Sequence, residues 1–213
     1  TTTGEERFHG RYPNLNWWTS DLTTFNPFSP DSSRMAMTEL ETNPTTVGTE
    51  LKSSLDFRSV PDGKVVATRN RDPAVWGFGT VFSADGKRLL VLLGRRARTA
   101  GELLRTENAA VVYDTTTLAP ISPAIPFSNT QNLLSNQIWL TPDGTHVVFN
   151  MSGDRVARVY DAKTGQLAFP EVFHGAAFSG VGISDDRTIY ATSEPGVGTC
   201  MHLSLRLTHN QDA

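Results

Sequence analysis

Residues 138–167, IWLTPDGTHVVFNMSGDRVARVYDAKTGQL, constrain the fold more than any other stretch of this chain. Ile138 and Leu140 alternate with Trp139 and Thr141 up to Pro142-Asp143-Gly144, a turn whose glycine accepts the positive φ that a tight hairpin requires. Val147, Val148 and Phe149 supply the returning strand. Ser152-Gly153-Asp154 then reverse the chain, with Asp154 as the acceptor inside the turn, and residues 156–160 alternate apolar and polar side chains again. Asp161 closes this third strand, because its carboxylate can accept N–H groups of the Ala162-Lys163-Thr164-Gly165 turn. Gln166-Leu167-Ala168-Phe169 begins a fourth, outer strand.

Three weaker copies account for most of the rest. The first runs from residues 23–28 through a turn at 29–33 into a strand at 35–39, and a polar insert follows at 41–50. Residues 51–57 make its third strand, with Asp56 at the end, and Pro61-Asp62-Gly63 lead into residues 64–67. The second copy starts at 79–82 and turns at Ser83-Ala84-Asp85-Gly86. It continues as Leu89 to Leu93, an unbroken apolar run of the kind a strand covered on both faces shows. An insertion at 94–108, with room for one helical turn in 99–108, precedes Ala109-Ala110-Val111-Val112-Tyr113-Asp114. The Pro-rich residues 121–127 cannot donate a full ladder of hydrogen bonds and belong to an edge strand and the loop after it. The fourth copy reads as strands at 177–183, 188–192 and 199–208, with turns at Ser184-Asp185-Asp186 and Glu194-Pro195-Gly196, and no outer strand follows.

Ser29, Ser83, Thr141 and Ser184 occupy the same turn position, 54, 58 and 43 residues apart, a spacing near the length of one four-stranded unit. Ser-Ala-Asp-Gly at 83–86 with Val-Tyr-Asp at 112–114, and Thr-Pro-Asp-Gly at 141–144 with Val-Tyr-Asp at 159–161, resemble the repeats of WD-repeat and YVTN-type β-propellers; Phe173-His174-Gly175 is similar to a degenerate Gly-His element of that family. The resemblance spans about residues 22–208. It implies an all-β chain, a β-propeller of four-stranded antiparallel blades, with about four blades near 22–68, 75–122, 134–170 and 176–208 inside a domain of residues 22–213. It also implies that Asp114 and Asp161 are structural turn residues and that His174 donates a hydrogen bond that fixes its blade. Residues 1–21 carry Phe8, Tyr12, Trp17 and Trp18, more aromatic surface than a disordered tail spends, so this arm is expected to pack on the propeller edge. A stacking platform for a sugar or base at Trp17-Trp18 is the alternative.

Several chemistries lose support in the sequence. No G-x-S-x-G elbow and no phosphate-cradling G-x-x-x-x-G-K-[ST] occurs. His9, His146, His174, His202 and His209 have no metal-ligand spacing, and Asp185-Asp186 read as hairpin residues, so no catalytic residue, metal or cofactor is assigned. Asn150-Met151-Ser152 matches the glycosylation pattern at a tight strand end where a glycan would crowd the sheet. A net charge of −3 argues against wholesale coating of nucleic acid, and no apolar run approaches the ~20 residues of a membrane helix. Cys200 stands alone and reads as a packed strand residue, which tilts the expected compartment towards the cytoplasm without fixing it. With no initiator Met and no signal sequence, a processed or trimmed chain is expected.

In a propeller, the connections between second and third strands and from each outer strand to the next inner strand emerge on one side, and the long segments 41–50, 68–74, 94–108 and 122–134 all fall there. Arg69, Arg71, Arg95, Arg96, Arg98 and Arg105 lie in these segments, a basic rim suited to a protein partner or an acidic ligand. The plainer reading is a set of solvated arginines facing carboxylates such as Glu102 and Glu107. The first function read from this pattern is a non-enzymatic scaffold. A small lactonase- or hydrolase-type propeller enzyme and a carbohydrate-binding propeller using Trp17, Trp18, Trp76 and Trp139 are the alternatives. Four blades with an incomplete last one leave open edges, so a homo-oligomer or membership of a longer propeller is expected over a closed monomer.

Overall fold

The structure is a computed structural model and describes residues 26–41, 52–72, 75–97, 105–127, 137–150, 156–173, 180–183, 188–192 and 203–206. The expectations placed on residues 1–21, Asp154, His174, Ser184, Asp185, Asp186 and Cys200 lie outside these.

All regular structure among the described residues is strand. The first sheet holds β1 (Arg34–Glu41), β2 (Lys52–Ser59) and β3 (Val65–Arg71). The second holds β4 (Val75–Phe82), β5 (Arg88–Ala97), β6 (Arg105–Asp114) and β7 (Ile125–Phe127). The third is built from β8 (Gln137–Leu140), β9 (His146–Asn150), β10 (Val156–Asp161) and β11 (Val172–Phe173), and the fourth from β12 (Gly180–Ile183), β13 (Thr188–Thr192) and β14 (Leu203–Arg206). Within every sheet the strands follow chain order and pair antiparallel. Phe28 bridges to Met35 and the Pro27 carbonyl accepts the Ala36 N–H, so residues 27 and 28 take the place of an inner strand in the first sheet.

The sheets stand side by side in series. β4 lies against β1 on one flank and β8 on the other, and β8 lies against β12. Inner strands adjoining one another while each sheet runs outward as a meander is the β-propeller architecture. The packing follows from period-two alternation in β5. Leu89 and Val91 pack with Val111, Tyr113 and Leu118 against Ala36, Leu55 and Phe57 of the first sheet. Leu90 and Leu92 pack with Ala110, Val112 and Ile125 against Ile138, Leu140, Val147 and Phe149 of the third. Both faces of the second sheet are therefore core, as the unbroken run at 89–93 predicts. Rings add directional contacts across both seams: Phe57 and Phe82 have centroids 5.8 Å apart, and Phe127 and Phe149 5.5 Å.

Two turns repeat from sheet to sheet. In the inner one, the hydroxyls of Ser29, Ser83 and Thr141 donate to Asp31, Asp85 and Asp143 at 2.6, 2.7 and 2.7 Å. Each hydroxyl also accepts a backbone N–H at 3.0 Å, from Arg34, Arg88 and His146 in turn. The position after each carboxylate takes positive φ: Ser32, Gly86 and Gly144. Gly144 has a second reason to lack a side chain, since a Cβ there would run into Arg88 and Ser83 of the preceding sheet. The Ala84 N–H also donates to the Pro142 carbonyl at 2.8 Å, joining successive turns. In the outer turn, Asp114 accepts the N–H groups of Thr116 and Thr117 at 3.0 and 2.8 Å, and Asp161 those of Lys163 and Thr164 at 2.9 and 2.7 Å. Leu118 and Gly165 are the positive-φ residues there.

Several strand limits differ from the sequence reading. The third strand of the first copy does not end at Asp56: β2 continues to Ser59, and Ser59, whose carbonyl accepts the Gly63 N–H at 2.8 Å, stands where Asp114 and Asp161 stand in their sheets. The expected insertion at 94–108 shrinks because β5 and β6 keep pairing out to Ala97 and Arg105; the register carries Arg105 to Asn108 as strand, which removes that part of the expected helical turn. The strand expected at 64–67 extends to Arg71. The outer strand of the third sheet is β11, while Leu167 contributes a single bridge to Tyr160.

Hydrogen bonds to the turn carboxylates make the fold acid-sensitive. The Ser29 hydroxyl, then the N–H and hydroxyl of Ser33, hold the Asp31 carboxyl down at about 2. The Asp114 carboxyl is lowered first by the Thr117 N–H; at Asp85 burial pushes upward, and bonds from Ser83 and Lys87 outweigh it. A carboxyl whose folded pKa is depressed contributes stability that is present above its unfolded value and is lost as pH falls through the folded value. Urea unfolding should therefore give a stability that declines from about pH 4 towards about pH 2, and replacing Asp31, Asp85 and Asp114 together with Ala should lower the neutral-pH value and flatten that decline.

Candidate functional site

The repeated Asp turns all lie at one end of the sheets, and the ends of β3, β5 and β7 lie at the other. Arg69 and Arg71 are in β3, across from Leu55 and Ser53 of β2. Arg95 and Arg96 are near the end of β5, in register with Glu107 and Thr106, and Arg105 opens β6 opposite Ala97. Arg98 lies outside the described residues. The described arginines expected on loops thus lie in strands, because the ladders run further than the apolar pattern does. Among the described side chains, Arg69 and Arg71 come together: both raise the local positive potential at Tyr113, across the seam between the first and second sheets.

Arg71 is the more enclosed of the pair. Its Nη2 donates to the Ser54 carbonyl at 2.6 Å, while Nε and Nη1 are buried and have no hydrogen-bond partner. Burial depresses its pKa, against which the nearby Tyr113 and Asp56 act. Burial also raises the Tyr113 phenol, opposed by Arg71 and Arg69.

On the face of β2 turned away from this seam sits a buried carboxylate, in mid-strand and not at the strand end expected for it. Asp56 is 5% exposed, accepts the Thr68 hydroxyl at 2.9 Å and pairs with Arg58 at 3.6 Å. Arg58 in turn donates to the Gly63 carbonyl at 3.2 Å. The signal was available: Ser53, Leu55 and Phe57 form one face of β2, so an acid at position 56 falls on the opposite face in mid-strand and needs a partner across the ladder, which Thr68 supplies by register. Among the described residues no group of three or more His, Cys, Asp or Glu could hold a metal ion, and no helix is long and apolar enough to cross a membrane.

No family model matches this sequence, and no curated protein matches it. Several solved structures are similar, a β-propeller domain among them. The β-propeller domain of the Trilobed protease from Pyrococcus furiosus shares 12% identity at a TM-score of 0.46, over 81% of this chain and 49% of that one. The WD40 domain of Toxoplasma gondii coronin shares 12% at 0.38, over 84% and 58%, and an oligogalacturonate lyase in complex with manganese shares 14% at 0.38, over 83% and 63%. The chain spans less than two thirds of the length of each. The set contains enzymes as well as a WD40 domain, and likeness at this level carries no function across.

The Asp56 arrangement has a measurable consequence. Asp56→Ala leaves the Thr68 hydroxyl without its acceptor and removes a carboxylate from Arg58, so it should lower the unfolding free energy by about 3 kcal/mol or more, whereas Thr68→Ala should cost about 1 kcal/mol. Chemical denaturation of the two variants checks the ratio.

Proposed function

We propose that the chain is a non-enzymatic β-propeller scaffold that binds a protein or another acidic ligand at the end of the sheets opposite the Asp turns. The observation that supports this reading is the position of Arg71, Arg95, Arg96 and Arg105 at strand ends on that side. Charges presented at the rim of rigid sheets cost little side-chain ordering when a partner of opposite sign docks, and they steer its approach. Arg98, between β5 and β6 in sequence, belongs to the same proposed surface, as does Arg69.

Polyglutamate serves as a probe of acidic character. Its binding should weaken steeply with added salt, since exposed charges interact over about a Debye length, ~8–10 Å. Neutralising Arg95, Arg96 and Arg98 together to Gln should lower the affinity about tenfold and flatten the salt dependence. Binding that keeps the same affinity and salt slope in that variant would contradict the proposal.

A further inference from the structure

Arg71 is a buried cation whose hydrogen-bonding capacity is mostly unspent. Only Nη2 has an acceptor, the Ser54 carbonyl at 2.6 Å; Nε and Nη1 have none. The Ser53 hydroxyl, on the residue opposite Arg71 in the β2–β3 ladder and 1% exposed, also has no partner. A lysine in such a place could relieve its burial by giving up a proton, but a guanidinium keeps its proton across the pH range in which proteins are folded.

Neither Asp56 nor Tyr113, the groups that act electrostatically on Arg71, accepts a hydrogen bond from it. Asp56 is close enough to act on Arg71 but is already engaged by Thr68 at 2.9 Å and Arg58 at 3.6 Å. Tyr113, on which both Arg69 and Arg71 act electrostatically, is a neutral phenol whose burial makes ionisation harder. Arg69, two residues before Arg71 on the same face of β3, adds a second positive charge. Water can accept the free N–H groups, yet it brings no opposite charge to the guanidinium.

We propose that the seam between the first and second sheets, at the end of β3, is an oxyanion-binding position in which Arg71 supplies charge-assisted hydrogen bonds, the Ser53 hydroxyl a further donor and Arg69 a second positive charge. Guanidinium N–H groups match the oxygen spacing of a carboxylate or a phosphate, and either satisfies donors and charge together. The inference rests on the acidic-ligand reading above and narrows it to a single oxyanionic group held between sheets. Arg71 ends β3 and is half-buried as a whole, so part of the residue is open to solvent.

The test is an NMR titration of the full 213-residue chain labelled in its arginines, observing the Arg Nε resonances. Sodium acetate and inorganic phosphate are added separately at fixed ionic strength, with chloride as the reference. One Nε resonance, missing in Arg71→Lys, should shift saturably with at least one of the two anions and not with chloride. Saturation by acetate alone assigns a carboxylate, and saturation by phosphate alone a phosphate. Ser53→Ala should weaken the binding about fivefold, the effect of one lost hydrogen bond. A response that chloride reproduces, or saturable binding that is unchanged in Arg71→Gln, overturns the proposal. Should Arg71→Gln not fold, Ser53→Ala and Arg69→Gln keep Arg71 in place, and unchanged affinity in both has the same meaning. The surface reading fails separately: polyglutamate binding that ignores Arg95, Arg96 and Arg98 while acetate or phosphate still saturates at Arg71 removes that reading alone.

Discussion

A sheet that is apolar on both faces cannot be stable alone, and the second sheet is such a sheet. Leu89 and Val91 project to one side of β5, and Leu90 and Leu92 to the other; all four are essentially inaccessible to water. Each such side chain removed from water contributes roughly 1.5–3 kcal/mol, so the sheet requires a neighbour on both flanks. The first and third sheets are those neighbours. Each offers a matching inner face, Leu55 and Phe57 on one side, Ile138, Val147 and Phe149 on the other. The serial stacking of sheets follows from this requirement before any turn chemistry is considered.

The turns then fix how the stacked sheets meet. A Ser or Thr hydroxyl, an Asp two residues on and a residue of positive φ produce the same hydrogen-bonded loop at 29–33, 83–87 and 141–145. Gly144 lets that loop lie directly on Arg88 and Ser83, and the Ala84 N–H reaches the Pro142 carbonyl. Polar groups thereby tie successive sheets at their inner ends, while both faces of β5 meet their neighbours through apolar side chains. Ser32 does the work of glycine in the first sheet at some conformational cost, and the N–H and hydroxyl of Ser33 both donate to Asp31 beside it.

The fold was legible wherever local pattern and tertiary environment agree. The Asp-Gly turns, the run at 89–93 and the Val-Tyr-Asp strand ends each say the same thing at short and long range, and the strands they bound lie where expected. Legibility failed where a ladder outlasts its hydrophobic pattern. Arg95, Arg96 and Arg105 read as loop residues by composition, yet the pairing of β5 with β6 carries them as strand, because ladder hydrogen bonds involve backbone and are indifferent to side-chain charge. It failed too at Asp56, where an acid suggested a turn although register places it opposite Thr68. For the candidate site, the sequence singled out Arg69 and Arg71 by type and position. It could not show that Arg71 is enclosed, which depends on Ser53, Ser54 and Tyr113 from strands remote in sequence.

The claim on which the whole account depends is that the second sheet is covered on both faces, and paired substitutions in β5 test it most directly. Leu89→Ala and Leu90→Ala delete the same atoms from adjacent residues that face opposite ways. If both flanks are occupied, urea or guanidinium unfolding should show both variants destabilised by about 2–5 kcal/mol. A cost below about 0.5 kcal/mol for either one would mean that its face is open to water, and the stacked-sheet architecture would be contradicted.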